Sequence, residues 1–477
     1  MKNTLLLLII LVLAAFSCKN AQKNTIAETP VVETERVIIT IDSITPGVKY
    51  TSAKVVDPSR PITVLDYTKE SYPSIDLDIS KYAESVEYVR LRHPEADSSK
   101  CFFYNNTLHV TYERGSSTSW LSASISFTDN GYIVRDILVG LFYYDLNGAF
   151  LDCIYKNDVP YKYEKDYDGD TVVEVKNSDR IGYIGGGNST GKEVLFVTID
   201  TVGAYRSYWY DLDLRKITME RVYGENERIF SPRVINDTLF YSTYTPVLMD
   251  DPVSLVTFGR KGEMLSVFRD YTHEKYQPTG NRNSPEAPFA YIFDGKLNTR
   301  APYNDTLYVL ESPERLTAKY VINLGERRVD PKTGIKGDKS NKLLPKNWME
   351  AKKFITFTYT LNIDVPINRD NNRVKYFFTL FDKSSGEIYH IPTGNAKYPD
   401  EFILSNKLSG GMPFYYSDLY YDNSKGVFYV IYDKNSIRAL LNDKNISAIP
   451  ANQRANLEKE YNSLVDGELL LMMMREK

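Results

Sequence analysis

The sequence predicts an all-β fold, a six-bladed β-propeller of four-stranded antiparallel blades. Three observations carry this. Short runs such as Val86–Leu91, Val194–Ile199 and Lys353–Tyr359 alternate or stay apolar and stop at Gly, Asn, Asp or Pro, which is the strand pattern. Helical periodicity is confined to one stretch, Asn452–Leu464, where Leu457, Tyr461 and Leu464 share a face. Two turn motifs also recur along the chain.

The N-terminus comes first. Lys2 and Asn3 precede the apolar run Leu5–Phe16, which ends at Ser17-Cys18. A charged start, a short apolar stretch and a small residue before the cut make a secretory leader, residues 1–17. The run is shorter than the ~20 residues that a bilayer-crossing helix needs. Ala15-Phe16-Ser17-Cys18 resembles a lipobox, although Ala15 and Phe16 depart from the usual Leu and small residue. Lipidation of Cys18 then anchors the chain in the cell envelope, since each buried methylene contributes ~0.8 kcal/mol. Residues 18–36 are rich in Asn, Gln, Thr, Glu and Ala and read as a flexible tether. No Asp follows Cys18, which resembles an outer-membrane sorting signal, and the acidic residues that favour surface display are missing directly after it, which points to the periplasmic face, with surface exposure as the alternative.

After the tether, residues 37–74 form an extension whose packing the sequence does not specify, and residues 75–477 form the propeller domain. That is more chain than one ordinary core accommodates, so a modular array is expected. With 58 basic against 62 acidic residues and no Lys/Arg-rich run, nucleic acid is not an expected partner. Cys101 and Cys153 are read as thiols, with a disulfide as the alternative in an oxidising compartment. The 38 Tyr and 21 Phe are read first as strand residues, because aromatic rings suit half-buried pleated surfaces. A sugar-binding surface is the functional alternative.

The first turn motif is Asn105-Asn106-Thr107-Leu108, Asn236-Asp237-Thr238-Leu239 and Asn304-Asp305-Thr306-Leu307, the last two 68 residues apart. This suggests a period near 68, of which six units span about 400 residues. The second is an aromatic-Asp turn at Tyr144-Asp145, Tyr210-Asp211, Phe381-Asp382, Tyr421-Asp422 and Tyr432-Asp433, each read as a hairpin. Radial repetition removes the exposed edges that one flat sheet of this many strands would carry.

Four segments resemble the six-bladed β-propeller lipoproteins of Bacteroidota. Ile75–Leu91 is similar to the phrase that opens the family's domain. Tyr144–Leu151 resembles its "FDKDGKFL" turn. Tyr303–Tyr308 followed by Lys319–Gly325 resembles its "NDTIY … YVIDLG" signature, and Asp466–Lys477 its last strand. The resemblance implies a propeller from about Ile75 onward in the cell envelope. The family's Gly-rich "GxGPGEY" phrase is replaced here by Lys156–Tyr163, so any binding role of that loop in relatives does not carry over.

Other motifs favour structural readings. Gly186–Glu193 nearly spells a phosphate-binding loop, but Glu193 replaces the Mg²⁺-holding hydroxyl and a strand follows, which makes it a hairpin. Asp166-Tyr167-Asp168-Gly169-Asp170 has the carboxylate spacing of a Ca²⁺ loop, but its Gly is misplaced and Asn177 stands where the bidentate Glu belongs. His93, His109, His273 and His390 share no metal-ligand spacing. No catalytic residue, metal or cofactor is therefore assigned. The residues favour a non-catalytic binding or scaffold propeller for a glycan or an envelope protein. The alternative is a polysaccharide hydrolase or lyase using carboxylates and Tyr on the top face.

Overall fold

The computed structural model describes residues 37–39, 48–92, 124–136, 140–156, 180–187, 191–199, 205–222, 232–244, 253–270, 288–330, 341–361, 375–393, 402–465 and 468–477. Their strands form six four-stranded antiparallel blades arranged as a propeller, two of them extended by rim strands, and a separate two-stranded sheet of Ile403–Leu404 and Phe414–Tyr415. Blade 1 is Ser124–Phe127, Gly131–Asp136, Gly140–Asp145 and Phe150–Lys156. Blade 2 is Arg180–Gly187, Glu193–Ile199, Tyr205–Asp211 and Lys216–Val222. Blade 3 is Arg233–Val234, Leu239–Thr243, Val253–Gly259 and Met264–Arg269. Blade 4 is Phe289–Phe293, Lys296–Arg300, Thr306–Ser312 and Arg315–Asn323, and blade 5 is Leu343–Glu350, Phe354–Leu361, Lys375–Asp382 and Ile388–His390. Blade 6 takes Tyr420–Asp422, Val427–Tyr432 and Glu468–Glu476 from the C-terminal part of the chain. Its fourth strand, Ala83–Arg92, comes from the N-terminal part and pairs antiparallel with Glu468–Glu476.

Side-chain alternation explains why the strands read as apolar runs. A strand inside a blade packs against a neighbouring blade on each side, so both of its faces are buried. In Gly140–Asp145, Leu141 and Tyr143 face blade 2 while Phe142 and Tyr144 face blade 6. In Glu468–Glu476, Leu469, Leu471 and Met473 pack towards blade 1, while Leu470, Met472 and Met474 pack towards blade 5. The core is accordingly divided into clusters, with one at every blade–blade boundary. Each fully buried Leu, Phe or Met contributes about 1.5–3 kcal/mol.

The blades recur about every 55 residues, with first strands beginning at Ser124, Arg180, Arg233, Phe289 and Leu343. A period near 68 is thus incorrect. Asn236 turns the chain from the first to the second strand of blade 3, whereas Asn304 lies between the second and third strands of blade 4. The motif recurs because its turn chemistry is portable. Asn236 Oδ1 accepts from the N–H of Thr238 and Leu239, and Asn304 Oδ1 accepts from that of Thr306. The aromatic-Asp motif does mark one place in blades 1, 2 and 5, the turn from third to fourth strand, where Asp145, Asp211 and Asp382 accept from main-chain N–H groups just beyond them.

Asp433 corrects another expectation. Instead of closing a hairpin it caps the helix Lys434–Leu441, with its carboxylate accepting from Ser436 N–H at 2.6 Å and Ser436 Oγ accepting from Asp433 N–H. The sequence does not announce this helix, which is anchored by only two buried residues, Ile437 and Leu440. The expected helix is present at Ala451–Ser463. Among the described residues, no helix is long and apolar enough to cross a membrane.

Residues 37–39 and 48–74 follow the outer rim. Val37–Ile39 adds a parallel strand to Lys216–Val222 of blade 2, and Lys49 and Tyr50 N–H donate to Met264 and Leu265 carbonyls of blade 3. Ala53–Val55 and Thr63–Asp66 pair with the fourth strand of blade 4, and Ser74 bridges to His390 of blade 5. The chain then enters blade 6 through a short turn capped by Asp78. Tyr67 fixes this strap. It is buried between blades 4 and 5, its ring 5.0 Å from Phe357 and 5.5 Å from Tyr359. Replacing Tyr67 by Ala should cost about 3–5 kcal/mol in chemical denaturation. Val64→Ala, three residues earlier on the same strap but 54% exposed, should stay within about 0.5 kcal/mol. Equal effects at the two positions would mean that the strap is not held through Tyr67.

Candidate functional site

The two ends of the blades differ. First-to-second and third-to-fourth connections share one face and are short; Asp294-Gly295 is a two-residue turn with both φ positive, as a tight hairpin requires. Second-to-third and blade-to-blade connections begin and end on the other face, and the blade-to-blade ones are longer. Residues 93–123, 157–179 and 271–287 are examples. We call these the turn face and the loop face.

Ion pairs and hydrogen bonds cross the blade boundaries near the turn face. Lys425 of blade 6 meets Asp129 of blade 1, and Tyr210 of blade 2 donates to Asp152 of blade 1. Arg260 of blade 3 binds Glu193 of blade 2 at 2.7 Å with its guanidinium over the Trp209 ring. Lys352 of blade 5 approaches Glu476 of blade 6, which also accepts from Tyr421.

The most heavily bonded of these clusters lies between blades 4 and 5. Glu350, at the end of the first strand of blade 5, is 1% exposed. Its carboxylate accepts from Lys383 Nζ at 2.7 Å, Lys319 Nζ at 3.1 Å, Tyr291 Oη at 2.6 Å and Tyr320 Oη at 2.7 Å. Burial opposes its charge, but Lys383, Lys319 and these hydrogen bonds outweigh that and hold the carboxyl below its usual range. Burial pulls the Lys319 amine down against the attraction of Glu350. Burial and the neighbouring carboxylate push Tyr291 and Tyr320 upward. A buried charge bonded on both oxygens clamps two blades together.

The loop face carries a small cleft at the same blade boundary, open to solvent, with an enclosed volume of about 10 Å³, room for about one water. Arg300, Tyr303, Asn304, Asp305, Arg328 and Leu344 contribute to its lining. Arg300 ends the second strand of blade 4 and is 2% exposed, its guanidinium 5.2 Å from the Phe289 ring centroid. Tyr303 is buried against Val329 and Leu344 and holds φ at +56°. A bulky side chain rarely adopts that left-handed conformation, which costs roughly 1–3 kcal/mol. The surrounding bonds enforce it. Asn304 N–H donates to Ala301 O, Asn304 Nδ2 donates to the buried Asp270 carboxylate at 3.2 Å, and Asp305 pairs with Arg328 at 2.9 Å. Two cationic groups, a carboxylate and an amide thus converge beside an apolar wall at the mouth of this small cleft.

The "NDTIY"-like segment Tyr303–Tyr308 therefore builds the cleft, and Lys319 of the companion segment reaches the turn-face cluster instead. Arg300, Arg328 and Glu350 carried no sequence signal, since their partners come from other strands and blades. Gly186, Gly187 and Glu193 belong to an antiparallel hairpin, with Val194 opposite Gly187. Cys153 lies half-buried on the fourth strand of blade 1, and His390 pairs through its main chain. Cys18, Cys101, His93, His109, His273 and Asp166–Asp170 lie outside the described residues. Among the described residues, no three His, Cys, Asp or Glu side chains are grouped to hold a metal.

Fold and site together define a six-bladed β-propeller with a strained polar cleft between two blades. Residues 45–442 match the family described as a domain of unknown function, DUF4933, and the chain belongs to it. Among solved structures, it is similar to a Bacteroides fragilis protein described as exported, with 11% identity, a TM-score of 0.48, and coverage of 87% of this chain and 100% of that one. It is also similar to a member of the DUF4221 family from Bacteroides vulgatus, with 10% identity, a TM-score of 0.41, and coverage of 82% and 99%. No curated protein matches the chain.

Removing the Glu350 clamp should be costly. Glu350→Ala leaves Lys319 and Lys383 without their carboxylate and should lower stability by about 3–5 kcal/mol at neutral pH. Because the folded carboxyl sits below its unfolded value of ~4.3, its contribution is complete above that pH and is lost as pH falls through the folded value. Urea midpoints measured down the acid range should therefore fall more steeply for the wild type than for Glu350→Gln. Parallel slopes would remove Glu350 from the account.

Proposed function

We propose that the chain is an envelope-anchored, non-catalytic binding or scaffold propeller that recognises a glycan or a partner protein through its loop face. The observation that carries this reading is the Tyr303 turn. A bulky residue is kept in a left-handed conformation beside the buried Arg300, and strain of this kind collects at sites that hold ligands. The leader and Cys18 support placement in the envelope, with the lipid in the outer membrane facing the periplasm. The Bacteroides fragilis relative is described as exported, which fits a location outside the cytoplasm.

One experiment tests anchoring and recognition together. Wild type and Cys18→Ala are fractionated from cells, and purified protein is screened by thermal shift against peptidoglycan fragments, lipopolysaccharide and pectic oligosaccharides, with a membrane-protein pull-down alongside. Cys18→Ala should move from the membrane to the soluble fraction. A double change, Asn304→Ala with Arg328→Ala, should abolish the strongest interaction while the chain stays folded. Membrane retention of Cys18→Ala would overturn the lipid anchor. Binding that survives the double change would overturn the cleft as the recognition site, and sugar released from any hit would replace binding by catalysis.

A further inference from the structure

Lys319 differs from the other cations at the blade boundaries described above, because its amine meets an amide as well as a carboxylate. It stands on the fourth strand of blade 4, and its Nζ donates to Oδ1 of Asn298 on the second strand at 2.8 Å, reaching past the intervening third strand. Asn298 is 0% exposed. Its Nδ2 donates to the Lys296 carbonyl, which turns the carboxamide oxygen towards the amine. Both Glu350 oxygens lie 3.1 Å from the same Nζ. Aromatic rings wall the group. The Phe293 centroid is 4.6 Å from Lys319 Nζ, and Tyr291 and Tyr320 donate to Glu350.

We propose that Lys319 and Asn298 form an intramolecular isopeptide bond, with Glu350 as the proton shuttle. The elements of the reaction are present and they balance. Glu350 takes a proton from the Lys319 ammonium, and the freed amine attacks Cγ of Asn298. The C–N bond to Nζ forms, the Cγ–Nδ2 bond breaks as the proton held by Glu350 passes to the departing nitrogen, and the second proton shed by Nζ follows through the same carboxylate. The group leaves as ammonium, and no oxidant, reductant or cofactor is needed. Amine and carboxamide are already joined by the Nζ–Oδ1 hydrogen bond, so their encounter is intramolecular and needs only a small movement of Nζ towards Cγ. Burial favours the neutral amine that must attack. It also keeps water, the competing nucleophile, from the amide. Lys383, bonded to Glu350 and to the Ala351 carbonyl, fixes the carboxylate from the far side. The product ties the second strand of blade 4 to its fourth and leaves the fold as it stands.

Peptide mapping decides the matter. The purified full chain is denatured, digested with trypsin and analysed by mass spectrometry. Residues 297–300 and 316–327 should appear as one branched peptide, lighter than the sum of its parts by one ammonia and uncut after Lys319. The free peptides 297–300 and 316–319 should be depleted in proportion. Lys319→Arg should restore free 297–300 in full, and Glu350→Gln should slow or prevent formation of the branch. Full recovery of both free peptides from the wild-type chain would overturn the proposal, whatever the folding state of the variants. A branch from Lys319 to residues 347–352 would overturn it too, by making Glu350 the acceptor.

Discussion

Closure of the ring is the constraint on which the other contacts depend. Ala83–Arg92 from near the start of the chain zips along Glu468–Glu476 at its end, and this pairing alone completes blade 6. Val89 and Leu91 from one strand and Leu469, Leu471 and Met473 from the other supply much of the core between blades 6 and 1. On the opposite side, Leu470, Met472 and Met474 meet Phe354 and Phe378 of blade 5. A pairing between distant parts of the chain thus holds two of the six boundaries. Because every blade packs against two others, slack there would propagate to the boundary between blades 4 and 5, where cleft and clamp both lie.

The strap around the rim follows from the same geometry. The fourth strand of each blade has an outward edge of unpaired main-chain groups, which would otherwise invite association. Val37–Ile39 covers such an edge on blade 2, Ala53–Val55 and Thr63–Asp66 cover that of blade 4, and Lys49 and Tyr50 bond to blade 3. The segment that follows the proposed tether therefore belongs to the folded body, and Tyr67 locks it beneath blades 4 and 5.

Much of the fold was legible because burial on two faces writes itself locally. Leu469–Met474 is an unbroken apolar run because its residues serve two boundaries in alternation. The four segments resembling a lipoprotein propeller family were legible for the same reason, and membership of the DUF4933 family agrees with them. The repeat length was not legible, since an Asn that binds the N–H two residues on is equally useful at Asn236 and Asn304, at different stages of a blade. Asp433 misled similarly, for a carboxylate that closes a hairpin also caps a helix. The candidate site was half visible. Tyr303–Asp305 stood out as a motif, but nothing in it announces the left-handed Tyr303 or the buried Arg300 at its side. The Glu350 cluster was invisible, because its partners approach only once blades 4 and 5 are side by side.

The most direct test of the closed ring is native-state hydrogen exchange, followed peptide by peptide in the full chain. The amides of Ala83–Arg92 and Glu468–Glu476 should exchange together, as slowly as the middle strands of the blades, and lose protection in one cooperative step as denaturant is added. Fast exchange across Ala83–Arg92 while Glu468–Glu476 and the other blades stay protected would contradict this. The propeller would then hold its shape without the closing strand, and stability would reside in the separate blade boundaries.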